Sequence, residues 1–129
     1  MSKRAGIFSR LNQRIIAALD RRAGRTRLRR VSVSPQALTL EYADESQHHL
    51  TWDDLRRVVA IRRDVFAGDL LCVLMELSTG GVVEVPATVA GWDDLCTALD
   101  QLPRARPTVQ WSTEVLSQPT GTPVDILLR

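Results

Sequence analysis

Aromatic residues are scarce in this 129-residue chain, which has two Phe, one Tyr and three Trp. Cysteine and histidine are scarcer, with two of each. Cys72 and Cys96 have no C-x-x-C spacing, so neither a zinc site nor a disulfide framework is indicated, and a reducing compartment fits. His48 and His49 are adjacent on a predicted strand. Their side chains then point to opposite faces and make neither an acid–base pair nor a common grip on one ion. The clearest unbroken apolar run, Leu70 to Met75, is about six residues long, against the roughly 20 that span a bilayer. The motifs G-x-S-x-G, P-loop and G-x-G-x-x-G are missing, and Gly80-Gly81 fits a hairpin turn better than a phosphate cradle. With no nucleophile beside a base, the expectation is a protein that is not an enzyme and carries no cofactor. A secretory signal needs an apolar stretch of roughly 7 to 15 residues and a small-residue cleavage site; neither is found, and export is not expected.

What is present is an ordinary balance for one folded domain: 44% hydrophobic and 25% charged residues. The charge, however, is divided. Residues 1 to 30 hold ten basic side chains against Asp20 alone, a net +9. The remaining 99 residues hold seven arginines against 14 carboxylates, a net −7. The chain therefore divides into a basic arm and linker, residues 1–27, and an acidic domain, residues 28–129. Such asymmetry points to a polyanion, a membrane surface or a protein partner for the basic part.

The arm also has a stripe. Phe8, Leu11, Ile15 and Leu19 recur three or four residues apart and share one face of a predicted helix, flanked by Arg10, Arg14 and Arg21. A basic amphipathic helix can lie in a membrane interface, its apolar side among acyl chains and its cations on headgroups. The candidate contacts to an anionic surface are Lys3, Arg4, Arg10, Arg14, Arg21, Arg22, Arg25 and Arg27. The stripe itself is the candidate membrane- or partner-facing element. The same four residues can instead pack on the protein's own sheet or join two copies in a homo-oligomer, and the arm can also remain unpacked. Its arginine-rich, acid-poor character also overlaps with a mitochondrial transit peptide.

In the acidic domain, Val31 to Val33 and Leu38 to Tyr42 alternate as strands around Ser34-Pro35. Residues 37 to 52 make a hairpin through Asp44-Glu45-Ser46. Leu55 to Phe66 satisfies both helical and strand spacing; its β-branched content favours a strand. Leu70 to Leu77 reads as a central strand covered on both faces, and Thr79-Gly80-Gly81 turns it back into Val82 to Val85. Trp92, Leu95, Cys96, Leu99 and Leu102 have helical spacing, with Asp93 and Asp94 in the first turn and Pro103 as the stop. Thr108 to Gln118 is a second short helix with Thr108 as its cap, and Val124, Ile126 and Leu128 alternate as a last strand. The expected fold is α+β, a bent antiparallel sheet or partial barrel of about seven strands with one main packed helix, preceded by the amphipathic N-terminal helix.

Trp-Asp-Asp-Leu occurs at 52 to 55 and at 92 to 95, without matching surroundings. Each copy reads as a Trp anchor followed by acidic turn or cap residues, and not as a repeat or as a Mg²⁺ or Ca²⁺ site. The order of hairpin, Leu50-Thr51-Trp52-Asp53-Asp54-Leu55, charged strand, Gly80-Gly81 hairpin and Gly91-Trp92-Asp93-Asp94-Leu95 helix resembles that of a group of small uncharacterised bacterial proteins. These are similar in element order to pleckstrin-homology-like (PH-like) or GRAM-like domains. That resemblance covers residues 31 to 129 and implies a binding module in the bacterial cytoplasm, with no functional residues carried over. The Trp111 segment and the last strand depart from the pleckstrin plan, which ends in its helix.

The expected function is thus a non-enzymatic cytoplasmic adaptor whose arm contacts an anionic membrane surface, peripheral to the inner membrane, or a protein partner. Nucleic-acid binding by the arm is one alternative, opposed at close range by the net −7 of residues 31–129. An immunity-type inhibitor using the acidic domain is another, with the cationic arm against it.

Overall fold

The computed structural model describes residues 27–65 and 68–129. The first three strands, β1 (Leu28–Val33), β2 (Ala37–Tyr42) and β3 (Gln47–Thr51), form an antiparallel meander. Its alternation is that of a sheet with one buried face: Val31, Leu38, Leu40 and Leu50 go inward, and Arg30, Ser32, Thr39 and His49 go outward. Ser34 closes the first turn, its backbone N–H donating to Ala37 O at 2.8 Å while its hydroxyl accepts from Ala37 N–H at 3.1 Å. In the second turn the Asp44 carboxylate accepts from Ser46 N–H at 2.9 Å, as short acidic side chains do in turns.

A single 3₁₀ turn, Trp52–Asp54, then redirects the chain, so that β3 and the following strand do not pair. Asp54 returns its carboxylate to Thr51 N–H at 2.9 Å and fixes the bend. Beyond it, β4 (Leu55–Val65), β5 (Gly68–Leu77) and β6 (Val82–Pro86) form a second antiparallel meander. The last strand, β7 (Val124–Leu128), adds to the far side of β4 and gives the order β6-β5-β4-β7. The segment with double periodicity is therefore a strand, as its valines predict. The expectation of an α+β fold with antiparallel sheets and seven strands holds among the described residues. The strands divide into sheets of three and four, however, and close no barrel, because the 3₁₀ turn separates the two meanders.

Helix α1 (Trp92–Asp100) packs on β1, and α2 (Thr108–Ser117) packs on β4 and β7. Leu95 and Leu99 from α1 and Trp111 and Val115 from α2 join the inward residues of both sheets in one core. Thr108 is the first residue of α2 and not its cap, the cap position being Pro107. Its backbone N–H and hydroxyl both donate to the Asp100 carboxylate at 2.8 Å. The last residue of α1 thus supplies negative charge at the positive end of α2. The N-terminal amphipathic helix lies outside the described residues.

Two close approaches hold β1 in place. Val31 N–H donates to Ala90 O at 2.9 Å beside a parallel bridge between Arg30 and Ala90. Gly91 follows with φ +91°, and a Cβ there would stand 1.9 Å from Val31 O. Only glycine fits both demands.

Candidate functional site

Of the twelve arm residues with a predicted contact role, only Arg27 falls among the described residues. It is exposed, and its backbone carbonyl accepts from Ala43 N–H at 2.9 Å. Lys3, Arg4, Phe8, Arg10, Leu11, Arg14, Ile15, Leu19, Arg21, Arg22 and Arg25 lie outside them. What can be built from the residues upward is the surface that the acidic domain presents.

That surface keeps its cations engaged at home. Arg57 donates through Nη2 to Asp125 at 2.7 Å, Arg62 through Nη1 to Asp69 at 2.9 Å, and Arg63 through Nη1 to Glu84 at 2.6 Å; Arg106 pairs with Glu114. Arg129 donates to the carbonyls of Trp52 and Leu55 at 2.7 and 3.1 Å. Five of the seven arginines beyond residue 30 therefore serve the domain's own structure. Half-exposed pairs of this kind add little to stability, but they keep the domain from offering cations to a polyanion.

A cleft of about 510 Å³ lies between α1 and the turn joining β1 to β2. Val33, Pro35, Trp52, Ala98 and Leu102 give it an apolar lining, and Ser34, Asp94, Thr97 and Gln101 give it a polar margin. The buried Trp52 anchors this end of the domain, because its indole N–H donates to Ser34 O at 2.9 Å and holds the turn against the 3₁₀ bend. The volume suits a small ligand or one or two side chains of a peptide, and Asp94 is the one carboxylate on its margin. Sequence reasoning found Trp52 as an anchor but missed the cleft. Ala98 sits just off the apolar face of α1, and Pro35 reads only as a turn residue.

Both thiols are free and buried. Burial, reinforced by the charge of Glu84 and a hydrogen bond to it, pushes the Cys72 thiol up to about 12; burial and the charges of Asp100 and Asp93 push Cys96 up to about 11. Neither is an activated nucleophile at neutral pH. His49 Nδ1 lies 2.9 Å from Thr39 Oγ1 on the outer face of the three-stranded sheet, and the register puts His48 opposite Leu40 on the other face. The two histidines therefore point apart, as strand geometry requires. Among the described residues no group of three His, Cys, Asp or Glu side chains could hold a metal ion, and no helix is long and apolar enough to cross a membrane.

No protein-family model, curated protein or solved structure matches this chain.

Proposed function

We propose that this protein is a non-enzymatic binding module: an acidic body of PH-like or GRAM-like kind whose basic arm engages an anionic membrane surface while the body meets a protein partner. The proposed setting is the bacterial cytoplasm, at the inner face of the membrane. The observation that carries this reading is the division of charge. Net +9 is concentrated in the first 30 residues, and the arginines of the acidic body are largely spent on its own carboxylates and carbonyls. Attraction to a polyanion therefore comes mainly from the arm, with the exposed Arg29 and Arg30 of β1 beside it. Each Lys or Arg near an anionic leaflet contributes about 1 kcal/mol, so half of the arm's cations give reversible attachment, to which Phe8, Leu11, Ile15 and Leu19 add apolar burial. The cleft beside α1, apolar within and with Asp94 on its margin, is the natural place on the body for a partner's apolar side chain.

The test is co-sedimentation of the full chain with vesicles of neutral lipid and with vesicles containing an anionic lipid. Binding only to anionic vesicles, weakened by salt and abolished by Leu11→Ser with Ile15→Ser, is the expected outcome. Binding to duplex DNA or RNA that survives those two substitutions, with no vesicle binding, replaces the membrane by nucleic acid, because only a membrane rewards the stripe as well as the charge.

A further inference from the structure

We infer that the outer face of the four-stranded sheet seats this chain's own amphipathic segment, with Phe8, Leu11, Ile15 and Leu19 lying over Val59, Leu74 and Val82. The inference does not depend on the membrane reading.

It starts from β5. Val73 and Met75 point into the main core, so Cys72 and Leu74, the alternate residues, point the other way. The register places Val59 opposite Leu74, Ile61 opposite Cys72, and Val82 opposite Glu76 on that same outer face. An antiparallel sheet with one wet face alternates apolar and polar residues; this one does not. Val59 and Leu74 are each 2% exposed, Val82 6% and Cys72 0%. Val59, Leu74 and Val82 form a cluster of their own with Ile61, separate from the main core. Both described helices pack elsewhere, α1 on β1 and α2 against the inner side through Trp111 and Val115. Neither described helix therefore supplies the cover that buries this outer face.

Size, charge and reach favour the arm as the cover. A twelve-residue helix is about 18 Å long and about 10 Å wide. The apolar strip runs about 13 Å along the strands, from the level of Ile61 to that of Arg57, and about 10 Å across three of them. The two cations of this face, Arg57 and Arg63, are paired with Asp125 and Glu84, and Glu76 adds a further carboxylate, so the face does not repel a basic helix. The arm joins β1 at Leu28, and β1 runs beside the segment leaving β6 through the Arg30 to Ala90 bridge. Residues 20–27 extend to about 26 Å, and this is the length of chain that links residue 19 to β1.

The fold carries its own reporter in Cys72, on the covered face, and its own control in Cys96, on α1 in the main core. The full-length protein is treated with a thiol-reactive disulfide, and the labelled cysteine is assigned by mass spectrometry. The double substitution Leu11→Ser with Ile15→Ser should accelerate labelling of Cys72 on the order of tenfold or more while leaving Cys96 within about twofold of wild type. An unchanged Cys72 rate overturns the inference. Equal acceleration at both thiols overturns it too, since the stripe would then support the whole body and not this face. From the other side, Val82→Lys should speed tryptic cleavage after Arg10 and Arg14 without speeding labelling of Cys96; unchanged cleavage counts against the seat. Protection of Cys72 that weakens on dilution would assign the cover to a second copy's arm, against the inference. Anionic vesicles separate this from the membrane reading: if they leave wild-type Cys72 protected while the serine variant exposes it, the membrane reading fails and the seat stands.

Discussion

The two Trp-Asp-Asp-Leu segments are identical in sequence and share almost no structure. At 52–55 the tetrapeptide makes one 3₁₀ turn and delivers Leu55 as the first residue of β4. At 92–95 it opens α1. Trp52 is buried and bonded to the Ser34 carbonyl, whereas Trp92 is half-buried at the edge of the core. The neighbours make the decision. Thr51 enters in an extended conformation, with φ −88° and ψ 154°, and Arg56 to Val59 continue as strand formers. Gly91 enters left-handed at φ +91°, and Cys96 to Leu99 continue with helical spacing. Four residues rich in acid are a start signal, and what they start is set by the residue before and the run after. Both copies bury the leucine, Leu55 at 1% and Leu95 at 0%.

The largest expected effect lies at the entry residue. Gly91→Ala should cost about 4 kcal/mol or more, because it adds strain at positive φ to a collision with Val31 O, whereas Thr51→Gly should cost about 1 kcal/mol. Denaturant midpoints measure both, and similar losses would show that the entry residue does not distinguish the segments. Next come the shared leucines: Leu55→Ala and Leu95→Ala should each cost roughly 2 to 5 kcal/mol, with Leu99→Ala in the same range. A small loss at one of them in the same titrations would mean that the two anchors are unequal. Smaller again is Trp52→Phe, which leaves the Ser34 carbonyl without its donor and should cost about 1 to 2 kcal/mol. Trp92→Phe, tested by thermal melting, should cost less. The smallest difference belongs to the acids. Asp54→Ala removes the acceptor of Thr51 N–H and should cost about 1 kcal/mol, while the exposed Asp94→Ala removes only a favourable interaction with the helix dipole, worth about 0.5 kcal/mol. Equal midpoints for these two variants would remove the distinction between a bend-fixing and a merely solvated carboxylate.

Local pattern carried most of the fold. Leu38, Leu40 and Leu50 announced a half-buried hairpin, Leu70 to Leu77 a strand covered on both faces, and Leu95 and Leu99 the buried side of a helix. The strand from Leu55 onward was decided by its β-branched residues against an equally good helical spacing. Sheet partition was not readable in advance, because it depends on a three-residue 3₁₀ bend whose acids look like any turn. The capping of α2 was also misplaced: Thr108 takes its partner, Asp100, from another helix, and no local pattern shows that. The cleft beside α1 joins Pro35 to Leu102 across the chain, so it exists only once β1 and α1 are packed. The arm's contact residues were read from charge and spacing alone, and of them only Arg27 lies where the structure can be compared.

The pairing of β4 with β7 has a consequence in time. Val59 and Asp125 are ladder partners separated by 66 positions, with β5, β6 and both helices made in between. At about 5 to 20 residues per second, a growing chain holds β4 with one side unpaired for roughly 3 to 13 s before β7 can dock. During that interval the side of β4 that will receive β7 is an open sheet edge, able to recruit a strand from a neighbouring nascent chain. The arginines at 57, 62 and 63 are charges of the sort that discourage such pairing, so a set of side chains that ends in ion pairs and a carbonyl contact first acts as a guard.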